Sequence, residues 1–98
     1  MKARLLFDRR VVVDEQSFVE LVAWALPKAA GGSRHSVKYR LAFVVEGDCV
    51  VRYDNESGKG DHRHFEKNES RYVFRSVDQL VKDFLDDVKR WRSENRNS

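Results

Sequence analysis

Residues Val37–Val45 read VKYRLAFVV, and their strict alternation restricts the fold more than any other pattern in the chain. Period two over nine residues predicts a β-strand with an apolar odd-numbered face and a second face that begins with Lys38 and Arg40. A tight hairpin turn is expected at Glu46-Gly47-Asp48, because glycine supplies the positive φ that such turns need. Cys49–Asp54 should then return antiparallel, so this part of the chain is a hairpin.

The alternation along the returning strand predicts which side chains share a face. One face would carry Cys49, Val51 and Tyr53, and the other Val50, Arg52 and Asp54. Asp54 would end the strand, where a rigid sheet can aim its carboxylate into the next segment.

The remaining segments predict further strands. Ala3–Asp14 is rich in Val, Leu and Phe and predicts one long strand, or two short ones separated by its charged centre. Ser17–Leu26 is apolar at nearly every position and predicts a strand covered on both faces. Asn55–Asn68 is expected to be a loop, and Tyr72–Phe74 a short edge strand.

A C-terminal helix is predicted from Ser76 onward. The Ser76 hydroxyl can cap the helix, and Gln79 three residues later completes a capping box. An apolar stripe at helical spacing contains Val77, Leu80, Val81, Phe84, Leu85, Val88 and Trp91. The residues between them are expected to face solvent: Lys82, Asp83, Asp86, Asp87, Lys89 and Arg90.

These elements predict a small α+β domain, with an antiparallel sheet of four to five strands and the C-terminal helix packed on one face. Residues 1–98 are too few for two cores, so one domain is expected, with residues 93–98 as a frayed tail. A domain this small has a thin margin of stability, and a homodimer interface would add to it.

Composition points to a cytoplasmic protein with a mildly basic surface. The net charge is +3 and the pI about 9.2, which fits either a polyanion partner such as RNA or a solvated surface. The single cysteine, Cys49, cannot form an internal disulfide and is expected to be a buried small hydrophobe. Charges interrupt the apolar N-terminal runs, and no stretch approaches the roughly 20 apolar residues of a membrane span, so no membrane partner is expected.

Residues 52–64 read RYDNESGKGDHRH and concentrate the chemistry of the chain. They contain three acids, three bases, two histidines and two glycines, a density for which packing alone gives no reason. RNA carries its own nucleophile, the ribose 2′-hydroxyl, so its cleavage requires a base, an acid and a cation for the developing phosphorane charge. The segment supplies all three, and we expect a metal-independent endoribonuclease site.

Each residue type suggests a role. His62 and His64, two apart on an extended segment, would face the same side and form the acid/base pair. Asp54 or Asp61 would orient a histidine, and the backbone at Gly58 and Gly60 would form a phosphate nest. Cationic or polar groups expected to contact RNA are Lys59, Arg63, Arg52, Lys38, Arg40, His35, Tyr53 and Asn55.

Four other interpretations remain open from the residues. Asp54, Glu56 and Asp61 could hold Mg²⁺ or Mn²⁺ in a metal-dependent nuclease, although nearby cations compete with the metal. His62 and His64 with an aspartate could bind zinc. The same loop could serve a nucleotidyl- or phosphoryl-transferase, or a non-catalytic RNA-binding module in which Tyr39, Tyr53 or Phe65 stacks on bases. G-K-G alone lacks the spacing of a Walker A loop.

The sequence resembles the TumE family of small bacterial toxins from type II toxin–antitoxin pairs. KYRL at residues 38–41 and YDNE-S-GKGDHRH at residues 53–64 carry the resemblance, with Phe43 where a Tyr is common. It extends over nearly the whole chain. The resemblance implies a growth-inhibiting toxin that acts on RNA and is neutralised by a cognate antitoxin, usually a small DNA-binding protein.

Overall fold

The computed structural model describes residues 3–27, 36–56 and 60–95 and shows one antiparallel sheet with one helix. The sheet has six strands arranged in chain order, each paired with the next. The elements are β1 (Arg4–Asp14), β2 (Ser17–Ala25), β3 (Val37–Val45), β4 (Asp48–Glu56), β5 (Gly60–Phe65), β6 (Asn68–Arg71) and α1 (Val77–Glu94). The predicted α+β class is confirmed. The predicted number of strands, four to five, is wrong, because β5 brings the number to six.

The segment expected to be a loop, Asn55–Asn68, contains the end of β4 and the whole of β5. β5 was not predicted because its sequence does not alternate between apolar and polar residues. One face of β5 carries Asp61 and Arg63, whose hydrogen-bond partners lie on other elements. Tyr72–Phe74 is not a strand. Both aromatic side chains instead pack against the core, and the edge strand β6 precedes them.

The core lies between α1 and one face of the sheet. The odd-numbered side chains of β3 point into it as predicted, and Leu41 and Phe43 are almost fully buried. Leu80, Phe84 and Val88 of α1 meet them, and Trp91 stands edge-on to Phe43 with ring centroids 5.7 Å apart. Since the helix covers only this face, the expectation that β2 is covered on both faces is wrong.

The β3–β4 hairpin has the predicted turn, with Glu46 and Gly47 at φ 50° and 86°. A register shift follows Phe43, so Val51 lies opposite Phe43 whereas Cys49 lies opposite Val44. This β-bulge turns Cys49 away from the face of Val51 and Tyr53. Cys49 is therefore exposed, which corrects the expectation that it is buried.

α1 begins as predicted, because the Ser76 hydroxyl accepts a 3.0 Å hydrogen bond from the Gln79 amide. The Gln79 side chain bonds Asp83 instead of returning to the cap, so only half of the capping box forms. Leu85, expected in the apolar stripe, is 39% exposed.

Asp87 was expected on the solvated face of the helix, and it is buried at 6% exposure. Its two carboxylate oxygens accept hydrogen bonds from Arg63 Nε at 2.6 Å and Nη2 at 2.9 Å. The Tyr53 hydroxyl donates to it at 2.7 Å. Burial alone would raise the pKa of Asp87, but the bonds from Arg63 and Tyr53 outweigh it and the pKa is lowered.

The hydrogen bonds that Asp87 accepts from Arg63 and Tyr53 predict the effect of removing its charge. Asp87→Asn should lower the free energy of unfolding by about 1.5–3 kcal/mol, because Arg63 and Tyr53 lose a charged acceptor. The loss should shrink as the pH falls toward and below the pKa of an unfolded aspartate, since a group with a lowered folded-state pKa stabilises only above that range. Urea denaturation at neutral and acidic pH measures both effects.

The neighbouring carboxylate supplies the control. Asp86 is exposed, and among the described residues its ion-pair partner is Lys82 on the same helix, at 2.7 Å. Asp86→Asn should change the free energy of unfolding by less than about 0.5 kcal/mol. Equal losses in the two variants would contradict a special role for Asp87.

Candidate functional site

Both histidines of the 52–64 segment lie on the sheet face that α1 leaves uncovered, which we call the open face. His62 stands opposite Asp54 of β4, and His64 stands opposite Arg52. Arg63 between them points to the helix side, so strand alternation sends the two imidazoles the other way. The structure therefore brings His62, His64, Asp54 and Arg52 together.

Arg52 connects the members of this group. Its Nη2 lies 3.1 Å from His64 Nε2, and its Nε lies 3.4 Å from Asp54 Oδ2. A guanidinium has only donors, so His64 Nε2 must accept this bond and Nδ1 must carry the proton of the neutral ring. Glu69 of β6 lies 3.8 Å from the same His64 nitrogen. Within the described residues, the His62 imidazole has no hydrogen bond or ion pair, whereas its backbone pairs with β4 and β6.

The open face continues onto β3 and β2. Arg40 lies opposite both Asp54 and Val22, and Lys38 lies opposite Trp24. Together with Arg52, these side chains line a depression of about 390 Å³. The depression therefore combines two apolar side chains, three cations and the Asp54 carboxylate on the same face as the histidines.

Tyr53 and Arg63, predicted to contact RNA, lie on the helix side of the sheet. Tyr53 is 2% exposed, and Arg63 forms the bidentate bond to Asp87 described above. Burial, then the hydrogen bond to Asp87, raises the pKa of Tyr53 above its usual range. Both residues join the sheet to the helix, so neither lies beside the histidines.

Asp61 and Asn55 also lie on the helix side. Asp61 accepts a 2.6 Å hydrogen bond from the Tyr39 hydroxyl, and burial together with that bond raises the pKa of Tyr39. Asn55 is 5% exposed; it accepts from the Tyr39 amide at 2.9 Å and donates to the Val37 carbonyl at 2.8 Å. Asp61 therefore cannot orient either histidine in this geometry, and Asn55 holds strand β3.

The aromatic rings proposed for base stacking are buried as well. Tyr39 and Tyr53 are each 2% exposed and Phe65 is 8% exposed, because all three belong to the core. None of them offers a ring face to a nucleic acid. The exposed aromatic ring on the open face is that of Trp24, at 38% exposure.

Several predicted residues fall outside the described ones. His35, Gly58 and Lys59 are among them, and so is the side chain of Glu56. Gly60 opens β5 with φ 77°, a backbone conformation that glycine adopts without strain.

The alternative metal site required Asp54 and Asp61 to converge. They lie on opposite faces of the sheet, one beside Arg52 and the other bonded to Tyr39. In residues 3–27, 36–56 and 60–95, no three His, Cys, Asp or Glu side chains are grouped to hold a metal ion. These two carboxylates therefore do not form a shared site for Mg²⁺ or Mn²⁺.

Sequence reasoning missed three residues that the structure places at or behind the site. Asp87 had a usable signal, since it follows Leu80 by seven residues and Phe84 by three and so falls on the apolar stripe. Glu69 had none, because β6 was not predicted. Trp24 could not be assigned to a face while every position of β2 looked apolar.

Comparison with known proteins gives one family. The family model described as Toxin TumE matches residues 2–92. No curated protein and no solved structure matches the chain significantly. Within the part of the chain that the structure describes, no helix is long and apolar enough to cross a membrane.

The contact between Arg52 and His64 predicts a tautomer that can be measured. In the folded wild type, neutral His64 should carry its proton on Nδ1, because Nε2 accepts from Arg52. Arg52→Met removes that donor and should shift the population toward the Nε2–H form. Imidazole ¹⁵N shifts of histidine-labelled protein report the tautomer, and His62 in the same sample is the internal reference. An Nε2–H tautomer in the wild type would contradict the contact.

Proposed function

Since the chain belongs to the TumE toxin family, we propose that it inhibits growth by cleaving RNA on its open face. The observation that carries this proposal is the placement of His62 and His64 on one uncovered face, with the Arg52 guanidinium beside them. A proton acceptor, a proton donor and a fixed cation are the set that metal-independent phosphodiester cleavage requires, and imidazole can serve in either proton role.

His62 is the proposed general base. It has no hydrogen-bond partner in the described residues, so its lone pair is available to the 2′-hydroxyl of a bound ribose. Asp54 stands directly opposite on β4, and in the proposed mechanism its carboxylate exchanges its 3.4 Å contact with Arg52 Nε for one that orients the His62 ring. As the 2′-oxygen forms its bond to phosphorus, the 2′-proton passes to His62.

His64 is the proposed general acid. When it carries its second proton, Glu69 at 3.8 Å supplies a counter-ion. The P–O5′ bond breaks as this proton passes to the leaving 5′-oxygen, which leaves a 2′,3′-cyclic phosphate. Arg52 exchanges its bond to His64 for one to the phosphate, where its charge stabilises the dianionic phosphorane.

The cations of β3 supply affinity for the strand on either side of the cleaved bond. Arg40 lies in the same cross-strand row as Asp54 and His62, and Lys38 lies one same-face position away on β3. Phosphate contacts of this kind position RNA without reading its sequence. A cognate antitoxin that covers the open face would block both binding and cleavage.

The decisive experiment is cleavage of a defined RNA by purified, antitoxin-free protein in excess EDTA. His62→Ala and His64→Ala should each lower the cleavage rate about 10²- to 10⁴-fold while the thermal unfolding midpoint stays near that of the wild type. The rate should depend on pH as a bell, because one histidine must be neutral and the other protonated.

Lys82→Ala on the exposed side of α1 is the matched control and should keep the wild-type rate. A histidine variant with full activity would remove that residue from the mechanism. Cleavage restored only by Mg²⁺ or Mn²⁺ would refute the metal-independent route. Binding without cleavage in any condition would indicate an RNA-binding module.

A further inference from the structure

The depression beside the histidines contains the exposed aromatic ring that the cleavage mechanism leaves unused. Trp24 and Val22 of β2 line it, together with the cations of Lys38, Arg40 and Arg52 and the carboxylate of Asp54. A tryptophan 38% exposed on a sheet face, next to three cations, is poorly explained by packing, since α1 covers the opposite face.

We propose that this depression is a subsite for one base of single-stranded RNA, which stacks on Trp24 while its phosphates contact Arg40 and Lys38. This inference rests on the proposed function, because it assigns a substrate contact to the same face. Single-strand binding sites combine a cationic track with aromatic rings on which bases stack, and stacking on a ring tolerates any base. The open face holds both parts.

The strand register fixes where the base lies relative to the cleaved bond. Val22, Arg40, Asp54 and His62 form one row across β2 to β5. Three strand spacings separate the ends of this row, roughly 14 Å. Trp24 lies one same-face position farther along β2, so the base stacked on it flanks the scissile phosphodiester and does not belong to it.

The two tryptophans of the chain make the subsite measurable. Trp91 lies on the helix side against Phe43, and its buried Nε1 has no hydrogen-bond partner among the described residues, so Trp91→Phe removes an unsatisfied donor and keeps an aromatic ring. The Trp91→Phe protein reports Trp24 fluorescence alone. The Trp24→Phe protein reports Trp91 alone and is its matched control.

Titration with a 2′-O-methyl RNA oligonucleotide, which lacks the nucleophile, measures binding without cleavage. Saturable quenching should occur in Trp91→Phe and be absent in Trp24→Phe. Trp24→Ala should weaken binding, measured by fluorescence anisotropy of a labelled oligonucleotide, about 5- to 150-fold. A Trp24 signal unchanged by bound oligonucleotide, or an unchanged dissociation constant in Trp24→Ala, would overturn the subsite.

The two proposals fail in different ways. Quenching of Trp24 without cleavage of unmodified RNA would leave the subsite standing and refute the nuclease. Cleavage that depends on His62 but not on Trp24 would support the nuclease and refute the subsite. An oligonucleotide that does not bind at all would refute both.

The edge of the sheet carries a second, independent inference. In the part of the chain that the structure describes, the eleven-residue strand β1 has a neighbour on one side only, and its Leu5, Leu6, Val11 and Val12 are between 37% and 73% exposed. A long apolar edge with unpaired backbone groups is a template for another strand. We propose that its occupant is β1 of a second copy of this chain, paired antiparallel about a two-fold axis at Arg9.

Charge complementarity selects both the partner and the register. Centring on Arg9 sets Asp8 against Arg10, Arg4 against Asp14 and Phe7 against Val11, and it repeats each pair by symmetry. The unfavourable feature of this register is that the exposed Arg9 side chains of the two copies lie opposite each other. Within Arg4–Asp14, registers centred on Asp8 or Arg10 pair that residue with itself and create no opposite-charge pair.

The faces of the strand are consistent with this register. Asp8 and Arg10 both lie on the open face, opposite Val22 and Glu20 of β2. Phe7 and Val11 both lie on the helix side, opposite Ala23 and Val19. Each arm of β1 contains one register shift, after Leu5 and after Val12, so Arg4 and Asp14 also share a face.

Paired charge reversals test this register. Asp8→Arg sets arginines against each other across the axis and Arg10→Asp sets aspartates against each other, so each variant alone should be monomeric where the wild type is dimeric. An equimolar mixture should form a heterodimer, since both cross-axis pairs are then complementary. Analytical ultracentrifugation of the full chain measures all four samples. A monomeric wild type, or single variants that remain dimeric, would refute the pairing.

Discussion

The buried carboxylate of Asp87 is the interaction that divides the two faces of the sheet. Through Arg63 and Tyr53 it fastens α1 across β4 and β5. A charge with so little exposure is tolerable only because all its partners are present, and a wrong docking of the helix would leave three polar groups unpaired. The helix is thereby assigned to one face, and the other face is left to solvent.

That division explains why residues 52–64, where charged and titratable side chains are most concentrated, contain both structural residues and residues of the candidate site. Along β4 and β5, Tyr53, Asn55, Asp61 and Arg63 point toward the helix side, where their polar atoms have partners. Arg52, Asp54, His62 and His64 point to the open face. Half of the chemistry that had no packing explanation is therefore structural. The two sets interleave because a strand alternates its faces residue by residue.

The sequence allowed the β3–β4 hairpin and the helix cap to be predicted, because each rests on local chemistry: apolar alternation, a positive-φ glycine and a capping hydroxyl. It also placed His62 and His64 on one face by their spacing. The same spacing argument, applied to Asp61 and Arg63, would have removed them from the histidines' side. β5 could not be predicted, since Arg63 on its inner face is matched by Asp87, twenty-four residues later. Cys49 was misplaced because a β-bulge reverses the alternation without changing the composition.

The open face is the surface on which the chemistry that we propose for this domain depends. The histidines, Arg52 and the β3 cations come from three adjacent strands, and their relative positions are fixed by backbone pairing and not by loops. The RNA substrate that we propose suits such a surface, because an extended, flexible polyanion can lie along it with its phosphates against the cations. Phosphate contacts position a strand without reading its sequence. In the proposed function, a partner would therefore have to control access to the whole face, and we propose the open face as the surface that an antitoxin covers.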